Sequence, residues 1–374
     1  MRAARGPLFA VAAFGAYWGA WGVLVPAVKE QVGASVTGLG LALLAVAFAA
    51  LPAMLVTGRI VDRAGTRILP LALVLFGCAA LLPGLAGSVW QLAFALTLVG
   101  LTSGAVDVVI NVAATNVETS GGRRVMQIAH ACFSAGFLVA AVAVGLARGA
   151  GSEPLPILGG IAALTLLAAA ANRGHPDSSR VVAPRRFTLS RRLVVLGLLC
   201  ALAFVIEGGI EAWSALFLET ELTASPALGS LGPGFFAAAR VAGRLAGQGL
   251  EIRLGDRFLL AAGAATAAIG LALAAIAPAV PLALLGFALG GAGVSVAAPT
   301  LFGAAGRGAP DAERGSAVAS VTTISYLGFL AGPPLIGAVS GAVDLRAGIG
   351  LLAVIALLLA ASAISARETL GRHP

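Results

Sequence analysis

Residues 36–67 read VTGLGLALLAVAFAALPAMLVTGRIVDRAGTR: an apolar run, 36–57, ended by a gap that carries Arg59, Asp62, Arg63 and Arg67. A helix crossing hydrocarbon needs roughly 20 apolar residues, so the run reads as one crossing and the charged gap as its exit. The same alternation continues along the chain. Twelve runs are expected to span, at 7–28, 36–57, 68–87, 90–116, 125–147, 154–172, 193–218, 227–249, 257–277, 279–305, 315–341 and 346–366, with boundaries good to about three residues. Hydrophobic residues make up 59% of the chain and charged ones 11%, with mean hydropathy +0.99. No water-soluble fold could bury that much apolar surface, and hydrocarbon makes each span satisfy its own backbone hydrogen bonds, so the spans are helices. The fold class is all-α and polytopic.

The basic residues fix the orientation. Numbered alternately from the N-terminus, one set of gaps holds 20 of the 24 Lys and Arg; the other holds only Lys29, Arg148 and Arg346, and Arg240 lies inside a span. The positive-inside rule places both termini in the cytoplasm of a cell bounded by its inner membrane, and that requires an even number of spans. The net charge of +8 is thus a topology signal, with arginines at helix ends meeting anionic lipid headgroups; nucleic acid is not an expected partner. Cys78, Cys132 and Cys200 all fall inside apolar runs and read as small buried hydrophobes, neither a disulfide framework nor a metal site. The N-terminal apolar run lacks a small-residue cleavage site and reads as a retained first span.

Residues 173–192 form the only long polar gap, with Pro176, Pro184 and six arginines. They read as a cytoplasmic linker between two six-helix bundles, 1–172 and 193–374. Internal similarity agrees: Ser134-Ala-Gly-Phe137 matches Tyr326-Leu-Gly-Phe329, and Gly58-Arg59 matches Gly243-Arg244, at separations of 192 and 185 residues. Two pseudo-symmetric bundles with a substrate site at mid-membrane are a common transporter plan. The fifty glycines fit it, since small residues let helices approach closely in lipid; spacings such as Gly15–Gly19 and Gly328–Gly332 are expected to pack within the chain, and a monomer is expected.

The gap after the second span, Gly58-Arg-Ile-Val-Asp62-Arg63-Ala-Gly65-Thr-Arg67, resembles the signature loop of the major facilitator superfamily. Every fixed position matches; Thr66 replaces the first of the usual basic pair. Gly58 suits close helix contact, Asp62 can cap a helix end and pair with an arginine, and Gly65 permits a tight turn. The resemblance implies the twelve-helix fold and a loop that latches the two bundles in the outward-facing state. A second, degenerate copy runs from Gly243-Arg244 through Glu251, Arg253, Gly255, Asp256 and Arg257. The segments Gly104-Ala-Val-Asp107-Val-Val-Ile-Asn111, Asn116-Val-Glu118, His130-Ala-Cys-Phe133-Ser134, Glu207-Gly-Gly-Ile-Glu211-Ala-Trp213-Ser214 and Gly328–Gly337 look like a bacterial branch of that superfamily. That branch includes the membrane protein of rhizopine gene clusters; rhizopines are amino-inositol derivatives.

An ionisable side chain in hydrocarbon faces a cavity or a partner and is a functional candidate by default. Glu207 and Glu211 lie one turn apart on the seventh span, Asp107 and Asn111 one turn apart on the fourth. Two desolvated carboxylates so close compete for ionisation, which suits Glu207, Glu211 and Asp107 as carriers of a coupled proton; an ion pair with Arg240 is the structural alternative. His130 titrates near neutral pH in its ordinary state, and either a cavity or a cytoplasmic-side hydrogen bond would use it. Glu118 lies near Arg123 and reads as a gate or cap. Tyr17, Trp18, Trp21, Trp213 and Tyr326 are aromatic candidates for a cavity wall, and Trp90 for an interfacial anchor.

The chain shows no nucleophile elbow, phosphate-cradling loop or metal cluster, and its only lysine is Lys29. ATP-driven transport by this chain alone is thereby excluded, and no enzyme activity, cofactor or metal is expected. A receptor built on the same fold differs by lacking solute flux. The expected function is secondary active transport of a small organic solute by alternating access, coupled to protons, with membrane lipids as the other partner. The few carboxylates and hydrogen-bonding groups suit a small polar or cationic solute. Multidrug or metabolite efflux by proton antiport is the alternative; the absence of proline from the fifth-span run Ala135–Gly145 weakens it.

Overall fold

The computed structural model describes residues 5–121, 125–174, 190–310 and 313–366, and the side chains of all of these except 118–127, 248–253 and 315. Expectations that concern Glu118, Glu251, Arg253 and residues 175–189 of the linker lie outside the described residues or side chains.

Among the described residues thirteen α-helical segments follow one another: α1 (Arg5–Gln31), α2 (Val36–Ala64), α3 (Leu69–Leu81), α4 (Val89–Gly121), α5 (Val125–Gly149), α6 (Pro154–Ala171), α7 (Arg191–Glu221), the single turn α8 (Pro226–Gly229), α9 (Leu231–Ala275), α10 (Val280–Val294), α11 (Ala297–Arg307), α12 (Arg314–Ala342) and α13 (Leu345–Ser365). No strand occurs among the described residues. The helix starts are chemically marked. Ser35 Oγ accepts from the Gly38 amide at 3.0 Å and Asp344 Oδ1 from the Ala347 amide at 2.7 Å, so polar caps satisfy amides that a first turn leaves open.

Ten stretches of the described chain are long and apolar enough to cross a membrane. Val36–Leu85 counts once among them although it turns back at Gly65. The first part of α9 is not among them; it carries Arg240 and Arg244. One span differs from the sequence reading. The runs 227–249 and 257–277 stay two helices, the two parts of α9, because Gly255 takes a non-helical φ of 72° between them. The run 279–305 is two helices, α10 and α11, interrupted at Ser295–Val296. Apolar side chains such as Phe48, Val139, Ile269 and Ile276 point outward and are exposed, whereas charged Glu207 and Arg240 are buried. That inside-out distribution is what a lipid solvent demands. Cys78 belongs with the outward set: it is exposed, unlike buried Cys200, because α3 turns that face away from the core.

The chain forms two compact units. Unit 1 comprises Met1–Val182 with Ser225–Ser230, unit 2 Ala183–Ala224 with Leu231–Pro374. In unit 1, a Cβ at Gly15 or Gly19 would overlap the carbonyl oxygens of Phe133 and Phe137, and one at Gly136 the carbonyl of Ala12. The backbones of α1 and α5 therefore touch with no side chain between them. In unit 2 the same relation joins α7 and α12, where a Cβ at Gly328 would overlap the carbonyl of Ala201. Gly136 and Gly328 are the two glycines paired by the sequence repeat, and their partners lie on the first helix of each unit. The spacings Gly15–Gly19 and Gly328–Gly332 thus pack inside the chain, as expected of small residues in lipid.

Two of the three basic residues in the sparse gaps bind backbone carbonyls of another segment. Arg148 Nη1 donates to the Val23 carbonyl within α1 at 2.8 Å, and Arg346 Nη1 to the Ala275 and Ala277 carbonyls at 3.0 and 2.8 Å. Arg346 sits at the C-terminal end of α9, where a cation satisfies orphan carbonyls and the helix dipole together.

Candidate functional site

The strongest polar cluster lies in unit 2. Glu207 and Glu211 are four residues apart on α7, so both project toward the same stretch of α9, where Arg240 and Arg244 repeat the spacing. Arg240 Nη1 lies 2.7 Å from Glu207 Oε2 and 2.9 Å from Glu211 Oε1. Arg244 Nη2 approaches Glu207 Oε1 at 3.9 Å. The Arg240 guanidinium also sits 5.4 Å from the Phe236 ring centroid, a contact that favours a cation. Two carboxylates and two guanidiniums leave the cluster neutral when all are ionised.

The members are not equivalent. The Glu207 side chain is 5% exposed and that of Glu211 25%, so Glu207 is the anchor and Glu211 the member that solvent or a ligand can reach. Because Arg240 holds two carboxylates, one of them can be neutralised without stranding the guanidinium. The cluster also reaches the interrupted span. Arg244 Nε donates to the Ser295 carbonyl at 3.4 Å, at the point where α10 stops. Gly243 makes this possible: a Cβ there would stand 2.6 Å from the Ala292 carbonyl.

Unit 1 holds a small open cleft lined by Val11, Phe14, Asp107, Asn111, His130 and Phe133 together with aliphatic neighbours. Asn111 Nδ2 donates to the Asp107 carbonyl at 2.8 Å and to Asp107 Oδ1 at 3.2 Å. The i, i+4 spacing thus fixes the carboxylate in place. His130, one turn before Ser134 on α5, is exposed on this cleft.

In the signature loop Gly65 takes φ 65° and ends α2, a left-handed conformation that costs glycine little. Gly255 does the same in the second copy, next to buried Asp256, which pairs with Arg307. Gly58 differs from its sequence reading: a Cβ there would meet nothing among the described residues within 4 Å, and the close helix contact belongs to its repeat partner Gly243. Asp62, Arg63 and Arg67 are exposed.

The aromatic candidates divide. Tyr17 is fully buried, edge-on to Trp18 and Phe76 and stacked with Trp21. Trp213 is fully buried as well, and neither Tyr17 Oη nor Trp213 Nε1 has a hydrogen-bond partner among the described residues. Tyr326 is half-buried against Phe204 and Phe329, and Trp90 stands exposed at the start of α4. The cleft's own rings are Phe14 and Phe133, which sequence reasoning did not single out. Phe133 follows His130 by three residues, and that helical spacing was the available signal. Arg244, read as part of a charged gap, belongs to the carboxylate cluster; its four-residue spacing from Arg240 was the sign.

Apolar helices in two compact units, with ionisable groups drawn into the interior of each, define a polytopic membrane transporter. The Major Facilitator Superfamily model matches the chain twice, over residues 8–252 and 196–372. The chain is 35% identical to an uncharacterised MFS-type transporter of Yersinia pestis, over 92% of this chain and 90% of that one. It is 30% identical to the membrane protein MosC of Rhizobium meliloti, over 94% and 88% respectively. Among solved structures it is similar to the nucleoside transporter NupG, with a TM-score of 0.80 at 13% identity, covering 98% of this chain and 99% of that one. The chain belongs to the major facilitator superfamily.

Proposed function

We propose that this chain is a proton-coupled secondary transporter of a small organic solute, working by alternating access between the halves 1–172 and 193–374, with both termini in the cytoplasm. The observation that carries the reading is the buried cluster in which Arg240 holds Glu207 and Glu211 at once. A proton can join Glu211 while Arg240 keeps Glu207, so the site changes charge by one without leaving a buried guanidinium unpaired. A proton that binds one conformation more tightly than the other biases the equilibrium between them, and only such differential affinity can do so. The Arg244 contact to the Ser295 carbonyl gives the bias a mechanical outlet, because span ten is already interrupted there.

The test uses the purified protein in proteoliposomes. Glu211→Gln should abolish proton-driven accumulation yet preserve counterflow exchange, which needs no net proton movement; Glu207→Gln should lose both, since it removes the anchor. Asp107→Asn separates a third candidate in the same assay. If all three proteins accumulate solute as the parent does, these residues are structural and the coupling reading is wrong.

The signature loop gives a second expected result. Asp62 is exposed in the last turns of α2, and we assign it to a charge contact made in one conformation only. Asp62→Asn should slow turnover by about tenfold, the size of a typical coupling between states, with no loss of thermal stability. Unchanged turnover across a range of solute concentrations would contradict that role.

A further inference from the structure

The four ionised groups of the unit 2 cluster divide by access. Glu207 and Arg240 are buried and hold each other at 2.7 Å. Glu211 is partly open, and the Arg244 side chain is 34% exposed. Among the described residues no ion pair joins these two open groups. Arg244 approaches only Glu207 Oε1, at 3.9 Å, too far for a hydrogen bond. A guanidinium carries five N–H donors in a planar fork. Arg244 spends the Nε–H on the Ser295 carbonyl, and the four on its terminal nitrogens meet no acceptor among the described residues. Two parallel N–H groups of such a fork match the two oxygens of a carboxylate.

Charge decides when the fork needs a ligand. With both glutamates ionised the cluster sums to zero. A proton on Glu211 leaves one carboxylate for two guanidiniums. Arg240 keeps Glu207 at hydrogen-bond distance, so the excess positive charge falls on Arg244. The charged groups around Arg244 are Glu207, Glu211 and Arg240, and no other described acid is there to cancel it. Of the neighbouring helices, α10 carries no titratable side chain, and α12 brings Tyr326 and, at its start, Arg314. Arg307 of α11 is held by Asp256, and Arg346 of α13 by Glu221. A neutral solute would leave the charge on Arg244 standing, and a cation would add to it. A solute with one carboxylate cancels it and fills the fork.

From this charge balance we infer that Arg244 binds the carboxylate of a small organic anion, most tightly when Glu211 is protonated. Proton and anion then enter and leave the site together as a neutral pair, which is the requirement for symport. Arg244 is the ligand-binding group and Glu211 the proton carrier. The carboxylates alone suit a cation; counting Arg244 with them reverses the sign. The inference rests on the transport reading in taking Glu211 as the site of the proton, and binding can be tested without transport.

The experiment is thermal protection of the full-length protein in detergent by matched pairs: gluconate against glucose, and benzoate against benzamide. It is run mildly below and mildly above neutral pH, where both acids stay ionised. The carboxylate of at least one pair should protect at a concentration about tenfold or more below its neutral counterpart, the worth of one charge-assisted contact. Its protection should be stronger at the lower pH. Glu211→Gln copies the protonated charge state and should show the preference equally at both pH values. Arg244→Gln should remove the preference. Arg244→Lys should keep part of it, since an ammonium holds the charge without the fork. If Arg244→Gln does not fold, Arg244→Lys and Glu211→Gln decide. Equal protection by both members of each pair, no protection by either carboxylate, a preference that survives Arg244→Gln, or one that is lost in Glu211→Gln would overturn the inference. Carboxylate binding without accumulation in proteoliposomes would count against the transport reading alone. Proton-coupled accumulation of a neutral solute without carboxylate preference would count against this one alone.

Discussion

Arg240→Leu is expected to be among the most damaging single substitutions in the chain. It removes the guanidinium that lies 2.7 and 2.9 Å from two carboxylates and leaves buried Glu207 without its principal counter-ion. Breaking a buried ion pair from one side costs about 3–5 kcal/mol, enough to lower the melting temperature by many degrees and to abolish accumulation. The cost comes from stranded charge more than from lost attraction. Combining Arg240→Leu with Glu207→Gln and Glu211→Gln removes the stranded charges and should recover most of the stability while transport stays dead. Thermal unfolding of the three proteins in one detergent decides it. An Arg240→Leu protein as stable as the parent would show that water, not Arg240, balances the carboxylates.

The second large effect is steric. Gly136 and Gly328 press on the carbonyl oxygens of Ala12 and Ala201, so any side chain must push two helices apart. Overpacking in a close-packed interior costs typically about 1–3 kcal/mol and sometimes more, and here the obstacle is backbone that cannot rotate away. Gly136→Val and Gly328→Val should each lower folded yield and melting temperature sharply. Gly160 is the control: on α6 a Cβ would meet nothing among the described residues within 4 Å, and Gly160→Ala should be neutral or stabilising by up to about 1 kcal/mol through helix propensity. Similar losses at all three positions would mean that the contacts at Gly136 and Gly328 are not what holds α1 on α5 and α7 on α12.

Much of this architecture was legible in the sequence because lipid imposes a single rule on every span. The apolar runs, the basic gaps and the signature from Gly58 to Arg67 each report on that rule independently. The repeat glycines were visible as well, since Gly136 and Gly328 recur in the same local motif. The break at Gly255 was legible as the charged gap between two runs; the break at Ser295–Val296 was not. A serine in an apolar run is compatible with either a turn or a continuing helix, and packing decides. The site was legible by residue type: charge inside a span marked Glu207, Glu211, Asp107 and Arg240. Its partners were not. Arg244 lies close enough to a charged gap to be read as part of it, and Phe14 carries no sequence mark that separates it from a lipid-facing phenylalanine.

Proton coupling is the central claim, and solute-evoked proton flux tests it most directly. In proteoliposomes enclosing a pH-sensitive dye, with no imposed gradient, adding transported solute should move protons across the membrane in step with the solute. The flux should vanish in Glu211→Gln while counterflow of the solute persists. Solute uptake with no proton movement, or a flux identical in the parent and in Glu211→Gln, would contradict the account.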